Sequence, residues 1–179
     1  MRIISGCRRG HKLVGFEGQD IRPTTDRVKE SLFNLIQEHV CGARVLDLFG
    51  GSGALALEAV SRGAACAVCT DISRAAVNII RKNVASLGFD ELVEVRNISA
   101  FDYLRGDIGK FDIILLDPPY NKGYMTEALS IIKERGLLSS DGIAVAESDS
   151  TDVPDPAGLE ILKRRKYGRT YITVFGTGQ

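Results

Sequence analysis

The chain has 179 residues, 44% hydrophobic and 26% charged, which fits one domain with a proper core and leaves little room for a second. Its 23 basic and 23 acidic side chains cancel, which excludes a uniformly basic nucleic-acid binder. No apolar run approaches the ~20 residues of a membrane span, so no membrane partner is expected.

The opening MRIISGCRRGHK lacks the long apolar segment of a signal peptide, so a cytoplasmic location is expected. RIIS and HKLVGF, around GCRRG, suggest a small hairpin over residues 1–20, an appendage to a main unit at 21–179. The hairpin is basic. Arg2, Arg8, Arg9 and Lys12 precede the first acid, Glu17, and Arg8, Arg9 and Lys12 are the expected phosphate contacts. Pro23 to Asp26 then offers N-cap oxygens, and Val28, Leu32, Leu35, Ile36 and Val40 recur on one face of the helix that follows.

From Arg44 the pattern alternates. RVLDLF, ACAVCT, LVEVR, FDIILL and GIAVAE read as buried strands. Between them lie the helices ALALEAVSR, RAAVNIIRKNVASL (stopped by Gly88), a short one around AFDYL, and YMTEALSIIKERG. LEILKRRK and TYITVF flank Tyr167-Gly168-Arg169 as a terminal hairpin, with a second basic cluster at Lys163 to Lys166 and Arg169. Apolar strands separated by helices mean an α/β fold, a mostly parallel sheet covered on both faces, to which the hairpin adds one antiparallel edge. Cys66 and Cys69 have metal-like spacing, but residues three apart in a strand face opposite sides and no second pair follows. Both read as small buried hydrophobes, and no metal is expected.

Two strand ends carry chemistry, because ligands of such sheets bind beyond the carboxyl ends of the strands. The first strand runs into Asp47-Leu48-Phe49-Gly50-Gly51-Ser52-Gly53 and opens a helix, where glycines let the backbone approach a ligand closely. Asp71 ends the second strand, the position from which a carboxylate accepts hydrogen bonds from a ribose diol. Ala56 replaces the third glycine of a dinucleotide fingerprint, and a nucleoside without pyrophosphate makes fewer demands on this turn. An NAD-dependent oxidoreductase is therefore a rival from another class, with no evident hydride-transfer acid to support it. A non-catalytic binder that retains the cofactor fold is a third.

The other strand end is Asp117-Pro118-Pro119-Tyr120. Two prolines stop the ladder and stiffen the turn, fixing the directions of a carboxylate and a carbonyl. An exocyclic base amine is a poor nucleophile because its lone pair is delocalised into the ring. Acceptors aimed at its N–H bonds, here the Asp117 carboxylate and the Pro118 carbonyl, favour a pyramidal nitrogen and free that pair, while Tyr120 can stack on the base.

DLFGGSG resembles the first motif of class I S-adenosylmethionine-dependent methyltransferases, and DPPY resembles the acceptor motif of those that methylate base amines. RPTTDRVKESLFN (Arg22 to Asn34), with RIISGCRRGHKL before it, is similar to one family in particular, the small-subunit rRNA guanine-N2 methyltransferases of the RsmD type. The match runs in order from about Arg2 to Phe175. The resemblance implies a Rossmann-like, seven-stranded sheet and S-adenosyl-L-methionine as cofactor. It places Gly51 and Gly53 against the methionine part, with Asp47 and Phe49 in the same turn. Asp71 would hold the ribose with Ile72 beside it, Ser99 and Ala100 would face adenine, and Asp117 would adjoin the methyl group. Many relatives carry Asp or Asn where Ser99 stands, so the Ala100 backbone is the firmer adenine contact. Thr24 and Thr25 fall where relatives close the methionine end, or else cap the helix.

The implied partner is 16S rRNA in the small ribosomal subunit, handled by a monomer without metal. Guanine N2, adenine N6 and cytosine N4 all offer such an amine, so guanine rests on the resemblance alone. With only a short hairpin beyond the catalytic sheet, the chain suits the shape of folded RNA better than sequence-specific DNA.

Overall fold

Ile113, Ile114, Leu115 and Leu116 are consecutive and all buried, which a strand permits only when both its faces are covered. The computed structural model, which describes residues 1–16, 26–119, 123–149 and 155–178, shows what covers them. The strands are β1 (Arg44–Asp47), β2 (Cys66–Asp71), β3 (Val93–Asn97), β4 (Phe111–Leu116), β5 (Leu138–Ser148), β6 (Glu160–Tyr167) and β7 (Thr170–Gly176). They form one seven-stranded sheet in the order β3-β2-β1-β4-β5-β7-β6. The first five are parallel to one another, and β7 runs antiparallel to both β5 and β6. The terminal hairpin thus supplies the antiparallel edge, with β7 one place in and β6 outermost.

Side-chain alternation sorts β4 between two cores. Ile113 and Leu115 join the apolar residues of α1 (Asp26–Leu35), α3 (Ala54–Ser61) and α4 (Arg74–Leu87). Ile114 and Leu116 join those of α5 (Ala100–Arg105) and α6 (Tyr124–Glu134) on the other face. The helix expected to run through Val40 breaks at Ile36, leaving a short α2 (Gln37–Val40). Ile36 and Val40 are both buried, so the turn redirects the chain without taking either apolar side chain off the core. β5 starts at Leu138, ahead of the expected Gly142, because buried Leu138 pairs with Phe111 across a register shift.

The N-terminal segment closes on itself through a single antiparallel bridge, Arg2 to Lys12, and lies against α3 and α4. Ile3 is fully buried and Leu13 nearly so, both within the first core, and burial of one such side chain is worth roughly 1.5–3 kcal/mol. Beneath the arm Glu58 is wholly buried and accepts from the backbone N–H groups of Ile4 at 2.8 Å and Ser5 at 3.0 Å. It also pairs with Arg62 Nε at 2.7 Å and with buried Lys29 Nζ at 3.5 Å, whose ammonium reaches the Arg2 carbonyl. Burial lowers the Lys29 pKa despite Glu58 beside it. One carboxylate therefore joins the arm, α1 and α3. No helix among the described residues is long and apolar enough to cross a membrane.

Candidate active site

β1 and β4 are neighbours in the sheet, so the ends that carry the glycine turn and the aspartate-proline turn lie side by side. The first turn is fastened from beneath. Gly50 N donates to Thr70 O at 2.8 Å, and Thr70 Oγ1 donates to Leu48 O at 2.8 Å. A side chain at Gly50 would put its Cβ 2.4 Å from the sulfur of Cys69. Gly53 has φ of 79°, where L side chains are strained, and a Cβ there would lie 3.1 Å from Ile80. At Gly51 a Cβ would meet nothing nearer than the Phe49 carbonyl at 3.9 Å, so that side of the turn is open to a ligand.

Three carboxylates border this opening. Asp71 Oδ2 accepts from Gly51 N at 2.9 Å and its Oδ1 from Ser73 N at 2.8 Å. A carboxylate has about four acceptor directions, so capacity for a diol is left over. Asp47 is 1% exposed; its Oδ2 accepts from Ala56 N at 3.3 Å, the Phe49 N–H and the Cys69 thiol lie against the same carboxyl, and its Oδ1 makes no hydrogen bond of good geometry among the described residues. Burial, together with the nearby charges of Asp117 and Asp71, pushes its pKa up to about 7. Asp117 is half-buried directly after β4, with Pro118 buried and Pro119 exposed. A buried carboxyl with an incompletely satisfied oxygen beside two further acids is stabilised by a proton or by a cationic donor, and the ammonium of an amino-acid moiety is such a donor. Among the described residues no group of His, Cys, Asp and Glu is arranged to hold a metal ion.

Ile72 is 75% exposed, an apolar ledge next to Asp71. Ser99 is the N-cap of α5: its hydroxyl accepts from Asp102 N at 3.1 Å and donates to Asp102 Oδ2 at 2.7 Å. The hydroxyl hydrogen is therefore engaged within the helix turn. The N–H of Ala100, the first helical residue, has no partner inside the helix. Thr24, Thr25 and Tyr120 lie outside the described residues. Arg8 is already engaged: its Nε donates to Leu87 O at 2.7 Å, closing the end of α4, and its guanidinium lies 5.7 Å from the Phe89 ring centre. Arg9 and Lys12 are exposed.

Several neighbours of the site, Phe49 apart, gave no sequence signal of their own. Asn97, ending β3, donates to the carbonyls of Asp71 and Ile72, both at 3.0 Å. Phe49, Phe101 and Tyr124, which follow β1, β3 and β4, form an aromatic trio with centroids 5.3–6.5 Å apart. Buried Asn83 on α4 donates to Ser52 O in the glycine turn at 2.9 Å. It also clamps Val14 of the arm, accepting at 2.8 Å and donating at 3.0 Å.

The family described as Conserved hypothetical protein 95 matches residues 1–176. The chain belongs to this family, the RsmD-type methyltransferases. Within the RsmD-type family it is 38% identical over 149 residues to ribosomal RNA small subunit methyltransferase D of Escherichia coli (strain K12), covering 83% of this chain and 75% of that one. The solved structure of yhhF from Escherichia coli superimposes with a TM-score of 0.87 at 32% identity, covering 98% and 96% of the two chains. An RNA methyltransferase from Salinibacter ruber, in complex with S-adenosyl-L-homocysteine, shares the fold with a TM-score of 0.69 at 21% identity, over 85% and 91% of the chains.

Proposed function

We propose that this chain transfers a methyl group from S-adenosyl-L-methionine to the exocyclic N2 of a guanine in 16S rRNA, within an assembled or assembling small subunit. The observation that carries the reading is the side-by-side placement of an acid-lined, glycine-walled cradle and the Asp117-Pro118 turn on neighbouring strands. Membership of the RsmD-type family, and the name of the Escherichia coli relative, support small-subunit rRNA as substrate, while guanine rests on the resemblance of the sequence motifs.

The residues fit the donor. Asp47 Oδ1 takes its ammonium, the open side of Gly51, in the turn that Gly53 closes, receives the methionine chain, Asp71 accepts from the ribose diol, and Ile72 and Ala100 flank adenine. S-adenosylmethionine, when bound, supplies an electrophilic methyl on a sulfonium. The chain's task is then alignment, and well-oriented pairs reach effective molarities of about 10⁵–10⁸ M. The Asp117 carboxylate accepts one N–H of the guanine amine and the Pro118 carbonyl the other, which directs the nitrogen lone pair at the methyl. Asp117 need not be a strong base, because the proton can leave after transfer. The target nucleotide is splayed out of its stack, at a cost of a few kcal/mol.

Nucleoside mass analysis tests this after incubation with naked rRNA, small subunits and duplex DNA. N2-methylguanine from the small-subunit material is expected, with turnover abolished in Asp117→Ala while donor affinity stays within about twofold. N6-methyladenine or N4-methylcytosine without N2-methylguanine would overturn the guanine assignment. Undiminished turnover in Asp117→Ala would remove that carboxylate from the mechanism.

A further inference from the structure

We propose that the β6–β7 hairpin is a second RNA contact, gripping the phosphodiester backbone of the substrate beside the Asp117 turn. The inference rests on the RNA reading above and adds a site to it.

The register of the sheet places the hairpin. Leu116 of β4 pairs with Ala146 of β5, so Asp117 is level with Glu147, which pairs with Ile172 of β7, which pairs with Arg165 of β6. Arg165 is therefore three strand spacings from Asp117 along one row, roughly 14 Å at ~4.8 Å per spacing. The next row outward holds Ser148, Tyr171 and Lys166. Antiparallel reversal through β7 thus brings the tip of the hairpin to the end of the sheet that bears the catalytic turn. That separation is within reach of a few nucleotides.

The chemistry of the tip is one-signed. Lys163, Arg164, Arg165, Lys166 and Arg169 crowd it, and the lone acid of the two strands, Glu160, sits at the far end opposite Gly176. Directly paired residues share a face of the sheet. Arg165 and Lys163 pair with Ile172 and Val174, which point into the core that also holds Ile3 and Leu13 of the arm. Arg164 and Lys166 emerge on the other face, both over the ring of Tyr171, at 4.7 and 5.3 Å from its centre. Cations thus line both faces of the rim, with an aromatic ring among them.

The bland reading is that lysines on an outermost strand only deter edge-to-edge pairing. A deterrent needs charge alone. It needs neither cations gathered on one ring nor a position level with the reacting site.

The test uses the full chain, S-adenosylmethionine, and small-subunit rRNA transcribed in vitro, with binding measured across a salt series. Replacing Lys163, Arg165 and Lys166 together by Gln is expected to weaken rRNA binding about tenfold or more. It should also flatten the log–log salt slope by about 2, near 0.7 per lost phosphate contact. Donor affinity should stay within about twofold, which reports an intact fold. If the triple variant loses donor binding, Lys166→Gln alone decides, with a slope change of about 0.7 expected. Wild-type rRNA binding with the same affinity and slope in the variant would overturn the inference, and so would self-association of the variant at unchanged rRNA affinity. A wild-type chain that binds no rRNA at any salt would instead bring down the RNA reading, and the inference with it.

Discussion

Asp47 couples the stability of the chain to the ligand proposed for its pocket. Its Oδ1 makes no hydrogen bond of good geometry among the described residues, and its pKa stands near 7 against 3.8 for a free aspartate. The native chain therefore holds a proton that the unfolded chain has already lost between about pH 4 and 7. This group's contribution to stability is complete below pH 4 and is lost as pH rises through 7. A donor ammonium needs the ionised form, so donor affinity should rise about tenfold between pH 6 and 8, following the ionised fraction of a group titrating near 7. Asp47→Asn should bind the donor more weakly, with no such rise, and be more stable than wild type at pH 8 without ligand. Calorimetry at several pH values and thermal melts check both. A pH-independent donor affinity in the wild type would detach Asp47 from the ammonium.

Elements are held by residues whose importance only the folded chain shows. Glu58 reads in the sequence as one charge on a helix, yet it accepts from Ile4, Ser5, Arg62 and Lys29 with no exposure to solvent. Removing one partner of a buried pair leaves the other uncompensated, at about 3–5 kcal/mol. Glu58→Ala should lose that much in urea unfolding and expose the arm to proteolysis. Glu58→Gln, which keeps one carbonyl oxygen to accept from the arm, should lose less. Equal losses would show that the retained arm bond contributes nothing. Asp117 was legible because the apolar run Ile113–Leu116 ends abruptly there, Asp47 because it opens the glycine-rich turn, and Asp71 because it closes the second strand. The contacts of Glu58 and Asn83 with the arm span 54 and 69 residues of sequence, and no local pattern encodes such pairings. Likewise a capping serine and a ligand-binding serine look alike in the sequence; the bonds to Asp102 show that Ser99 caps α5.

For the molecule as a whole, the sheet sets the distances over which chemistry and recognition combine. Alternating apolar strands and helices made the parallel sheet readable in advance, because only a sheet covered on both faces tolerates runs such as Ile113–Leu116. The aromatic trio was not readable, since Phe49, Phe101 and Tyr124 meet only when three strand ends converge. The arm is joined to the glycine turn through Asn83, and the basic hairpin reaches the sheet end that carries Asp117. The most direct measurement is a crystal structure with S-adenosylmethionine bound. The account predicts its ammonium on Asp47 Oδ1, its ribose on Asp71 and its methyl directed at Asp117 and Pro118. A donor whose methyl points away from that turn would contradict it.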